Sequence, residues 1–114
     1  MKLRNKYFIL RHGQTIYQTA LKRDVVYPCF SKKPPVELTL KGKNQIKKAA
    51  QKLEKEKIDL IFASDFWRTK QSAKIVNEKT KTKIIFDKRL RDLSFGTYHG
   101  RLKKIFIKNF PSFR

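Results

Sequence analysis

The chain has 114 residues, 39% of them hydrophobic and 12% aromatic, with 29 basic against 9 acidic side chains for a formal charge of +20. That length allows one domain at most, burying only ~65% of the surface its unfolded chain would expose, which leaves a modest stability margin. The apolar content is too high for a disordered polyelectrolyte, the lone Cys29 excludes an internal disulfide and fits a reducing cytoplasm, and no run approaches the ~20 apolar residues of a membrane span.

Lys6, Tyr7, Phe8, Ile9 and Leu10 open the pattern without polar alternation, which predicts a strand buried on both faces. The run is too short for the core of a signal peptide. Pro28, Pro34 and Pro35 forbid a continuous helix over residues 17–37, so a loop or broken helix is expected there. A helix then starts around Leu38 and Leu40, with Thr39 as N-cap and with Ile46, Ala49, Ala50 and Leu53 on one face. Residues 58–63 predict a second strand, which runs through Ser64 and Asp65 into a helix over 66–79. Asp65 is expected to cap that helix, and Thr69, Ala73 and Val76 to face inward. A third strand over 83–86 leads to an irregular stretch at 91–96, and a last helix over 102–109 is stopped by Pro111. Strand–helix alternation with connections of this length predicts an α/β fold with a mostly parallel sheet flanked by helices.

The first strand delivers Arg11 and His12 to its carboxyl end, where Gly13 lets the backbone turn. Phosphoryl transfer needs a nucleophile in line with phosphorus, fixed positive charge on the equatorial oxygens and an acid for the leaving oxygen. A neutral imidazole can attack, and nearby arginines would keep His12 neutral at pH 7. Arg11 offers planar, permanently charged donors, and Arg68 sits one turn into a helix whose amino end already favours an anion. Taken singly, a strand-end Arg-His pair is more often structural than catalytic; it is the spacing of these residues that changes the balance.

RHGQT at residues 11–15, LTLKG at 38–42, SDFWRTKQSA at 64–73 and LSFGTYHG at 93–100 resemble, in order and spacing, the histidine phosphatase superfamily, which includes the cofactor-dependent phosphoglycerate mutases and many phosphomonoesterases. The resemblance implies a phosphoglycerate mutase-like α/β fold and hydrolysis or transfer of the phosphoryl group of a small phosphorylated metabolite. No metal and no cofactor are expected, because two guanidinium groups do the electrostatic task and no Cys or His cluster suggests a metal site. It implies that His12 becomes the phosphohistidine and that Arg11 and Arg68 bracket the phosphoryl group. Asp92 stands where the family usually has a glutamate that protonates the leaving oxygen. Gln18 falls where an asparagine often touches the phosphate, and Gly13 and Thr15 would shape the turn and contact the anion.

The family also carries a second pocket histidine on a later strand. His12 and His99 are the two histidines here, and His99, between Tyr98 and Gly100, does not match that position. The expectation is that residues 1–114 form the amino-terminal part of a truncated histidine phosphatase domain, with 7–10 at an open, aggregation-prone sheet edge. Such a chain would be complemented by a carboxyl-terminal half or by another copy of itself.

Lysine supplies 21 of the 29 basic residues, and these lysines are scattered over helix faces. Scatter indicates a solvated surface, because a patch or stripe is the stronger signature of a nucleic-acid site. The competing reading is a basic polyanion- or nucleic-acid-binding module on an inactive scaffold. It would use Phe106, Phe110 and Phe113 among Lys103, Lys104, Lys108 and Arg114 as a stacking platform, although a helix with an apolar face accounts for the same residues.

Overall fold

A computed structural model of the protein describes residues 5–25, 35–92 and 101–109. Cys29, Pro28, Pro34, residues 93–96, His99, Phe110, Pro111, Phe113 and the Phe106 side chain lie outside the described part.

The first helix, α1 (Leu40–Glu54), begins where Thr39 turns its hydroxyl oxygen to accept the Gly42 N–H at 3.0 Å, so the predicted N-cap is the observed one. Ile46 and Ala50, one turn apart, are buried against Leu38 and Val76, with Leu53, Ile61 and Ile75 packed around them. This cluster joins α1 to β1 (Leu60–Ala63) and α2 (Trp67–Thr80). The strand β2 (Lys83–Phe86) lies parallel to β1 with Leu60 opposite Lys83 and Ala63 opposite Phe86. β1, α2 and β2 thus form a strand–helix–strand unit of the predicted kind. α2 ends at Lys81 in the left-handed conformation, and the Asn77 side chain accepts the Thr82 N–H at 2.7 Å to close the turn.

After β2, Asp87 caps a single 3-10 turn, Lys88–Leu90, and Arg91 and Asp92 follow it. The short α3 (Lys103–Asn109) is tied to the earlier loop by a Val25–Leu102 bridge and by the Lys103 N–H, which donates to the Asp24 carbonyl at 2.6 Å. Among the described residues no helix is long and apolar enough to cross a membrane.

Two expectations about elements are corrected. Residues 6–10 form no ladder among the described residues, and instead of being buried on both faces Tyr7 and Ile9 are 66% and 100% exposed. A strand is stabilised by neighbours on its edges and faces, and the sheet formed by the described residues has only β1 and β2. Asp65 does not cap α2: Phe66 occupies the N-cap position, with no side-chain hydrogen bond, because the Asp65 carboxylate is held by Arg91.

Candidate functional site

The parallel strands point their carboxyl ends to one side, where ligands of open α/β sheets generally bind. β1 leads through Ser64 into α2, whose first turn carries Arg68, and β2 leads to Arg91 and Asp92. The loop bearing Arg11 and His12 must be brought to the same place, and since residues 6–10 make no ladder it is held from its other side.

Gly13 provides the hold. Its N–H donates to Ser72 Oγ at 3.0 Å, and that hydroxyl donates to the Arg68 carbonyl at 2.9 Å, which ties the loop to α2. On the opposite side Gly13 faces Gly42 of α1 so closely that a Cβ on Gly13 would meet the Gly42 carbonyl oxygen at 2.5 Å, and one on Gly42 would overlap the Gln14 backbone. Thr39 N–H and the Gln14 carbonyl pair at 2.9 Å, and Gln45 Oε1 accepts the Gln14 N–H at 3.1 Å. Ser72, Gly42 and Gln45 were not among the predicted site residues. The signal for the first two was the company they keep, inside SDFWRTKQSA and LTLKG.

Thr15 and Gln18 close the loop. Thr15 is fully buried and bridges to Leu38. Its N–H and its hydroxyl both donate to Gln18 Oε1, at 2.8 and 2.9 Å, while its own oxygen accepts the Tyr17 N–H in a reciprocal cap of the 3-10 turn Ile16–Gln18. The amide oxygen of Gln18 is therefore turned into the loop, and the Thr15 hydroxyl is interior.

His12 is half-buried, and its Nδ1 lies 2.7 Å from the Gly13 carbonyl oxygen. A carbonyl can only accept, so Nδ1 carries the hydrogen and the neutral ring keeps its lone pair on Nε2. Burial is the main cause of a pKa below the ordinary 6.5. The Gly13 bond opposes it, the Arg68 and Arg11 charges lower the pKa further, and Asp92 pulls the other way. Arg11, Arg68 and Asp92 thus each lie near enough for their charge to act on His12, with Arg11 and Asp92 exposed and Arg68 only 7% exposed. The Arg68 guanidinium lies over the Phe66 ring, 4.4 Å from its centroid.

The depressed pKa has a measurable consequence. Between its folded pKa and 6.5, the folded His12 binds fewer protons than the unfolded one, so stability falls as pH drops through that window. Urea unfolding followed from about pH 7.5 down to about pH 5 is expected to show a falling midpoint, and His12→Gln to flatten that part of the profile.

Comparison with known proteins points one way. The family model described as "Histidine phosphatase superfamily (branch 1)" matches residues 7–114. The "Probable phosphoglycerate mutase GpmB" of Yersinia enterocolitica is 31% identical over 94 residues, which cover 82% of this chain and 40% of that protein. The solved mycobacterial glucosyl-3-phosphoglycerate phosphatase complexed with VO3 superposes with a TM-score of 0.70 at 28% identity, covering 89% of this chain and 45% of the other. Bacillus stearothermophilus YhfR shares the fold, with a TM-score of 0.71 at 24% identity over 90% of this chain and 47% of its own. The chain spans roughly two fifths of the length of the curated relatives it matches.

Proposed function

Because this chain belongs to the histidine phosphatase superfamily, branch 1, we propose that it carries the nucleophile-bearing part of a site that removes or transfers the phosphoryl group of a small phosphorylated metabolite in the cytoplasm. His12 is the nucleophile. Asp92, a carboxylate at rest, takes up the proton that the phosphomonoester monoanion brings; the Nε2 lone pair attacks phosphorus, the ester P–O bond breaks, and Asp92 passes that proton to the departing alkoxide. The Asp92 carboxylate then takes a proton from the incoming water or hydroxyl as that oxygen displaces Nε2, and the proton leaves with the product, which restores the resting site. Arg11 and Arg68 neutralise the phosphoryl oxygens throughout. Gly13 and Thr15 shape the loop, and Gln18 contributes from its amide end.

The observation that carries this reading is the hydrogen bond from Nδ1 to the Gly13 carbonyl, which leaves the lone pair on Nε2 of a ring that two arginine charges act upon. Support for substrate class comes from the relatives, whose names speak of phosphoglycerates. Residues 1–114 are proposed as the amino-terminal part of the domain, with a carboxyl-terminal half or a second copy completing the pocket wall.

Incubation with a 32P-labelled phosphomonoester such as phosphoglycerate tests the proposal. An acid-labile, base-stable label on His12 that disappears in His12→Ala is the expected result. A protein that remains unlabelled, or that labels equally without His12, overturns it.

A further inference from the structure

Asp65 stands between β1 and α2, and Arg91 directly after the turn that follows β2. Arg91 donates from Nε and from one terminal nitrogen to the two carboxylate oxygens of Asp65, at 2.5 and 2.6 Å. Two parallel bonds of this kind fix direction as well as distance. Beneath them lies Phe66, with the Arg68 guanidinium 4.4 Å and that of Arg91 5.7 Å from its ring centroid. One aromatic ring therefore seats two arginines that arrive from different segments. The neighbouring Arg89 does not compete for Asp65, because it is paired with its own Asp87 at 2.7 Å.

The pair is partly exposed, and an exposed ion pair contributes little stability. Its value lies in placement. Arg91 is covalently joined to Asp92, and Asp92 bears on the charge of His12.

We infer that the Asp65–Arg91 fork, seated on Phe66, is a positioning device that holds Asp92 in register with His12 and Arg68. Its catalytic meaning rests on the proposed role of Asp92 as proton donor, but the coupling it creates is a property of the resting protein. None of the three residues need touch substrate.

A double-mutant cycle read by NMR titration of the His12 ring in the full chain tests the device. Asp92→Asn is expected to lower the His12 pKa, and this effect should shrink by at least half when Asp65→Asn is also present. Arg91→Lys, which keeps the charge and loses the fork, should reproduce the decoupling; it also carries the cycle if circular dichroism shows Asp65→Asn unfolded. An Asp92→Asn shift of equal size in every background, or no shift in the native one, overturns the inference. As a second readout, the fork variants should slow phosphoryl transfer from alkyl phosphates more than from nitrophenyl phosphate, since only the alkoxide needs the proton. Equal slowing overturns the inference. Coupling without any label on His12 supports the device and overturns only the phosphoryl-transfer reading.

Discussion

Gly42→Ala is expected to destabilise the protein by about 3 kcal/mol, at the upper end of ordinary overpacking costs. Helix propensity argues the opposite sign, since alanine in a helix interior is better than glycine by about 1 kcal/mol. The decision rests on what the new methyl group meets. It runs into the Gln14 backbone, and Gln14 is fastened by its carbonyl to Thr39 and by its N–H to Gln45. Backbone cannot rotate aside as a side chain can, so α1 or the loop must move. Gly13→Ala meets the same obstacle from the other side, with the Gly42 carbonyl and Ile46 Cγ1 at 2.5 and 3.0 Å. For a domain whose whole stability is of the order of 5–15 kcal/mol, such a loss is a large share. Urea unfolding of Gly42→Ala beside the exposed-site control Lys43→Ala measures it; a rise in the midpoint would mean that the close approach of loop and helix is wrong.

Arg68→Met is expected to slow the phosphorylation of His12 by about 10²–10³, the usual cost of deleting one preorganised donor at an anion site. Its effect on folding is expected to be much smaller than its effect on the rate, because methionine can keep the packing over Phe66 that the arginine stem and guanidinium provide. The contrast between the two effects distinguishes a functional cation from a structural one. The same substitution removes a charge that lowers the His12 pKa, so that pKa should rise and the acid limb of the rate profile should move to higher pH. Labelling rates, urea unfolding and the ring titration are the three measurements. A variant that is unstable but labels at the native rate would assign Arg68 to the core alone.

The strand–helix–strand unit and α1 follow from periodicity, which is a local property: Ile46, Ala50 and Val76 fall on the faces that become buried. β2 coincides with the short apolar run at 83–86 for the same reason. What local pattern cannot supply is the neighbour. Residues 6–10 have the apolarity of a strand, but pairing depends on what lies alongside, and no described residue does. Asp65 has the position of a helix cap, and its actual partner is 26 residues away in sequence. The Gly13–Gly42 approach and the Ser72 anchor likewise join separate motifs, and only the folded chain shows them to be one contact. Gln18 is the instructive exception. Thr15 and Gln18 have the three-residue spacing of a reciprocal cap, so the inward turn of the amide oxygen was available from sequence beside the phosphate contact expected for it.

The bare stretch at 6–10 has a consequence for how the imidazole is suspended. In a sheet-borne nucleophile the strand is the mast and the loop the rigging. Here the order is reversed: His12 hangs from knots tied downstream, at Gly13, Gln14 and Thr15. A slip at those knots is therefore expected to swing it away from its arginines.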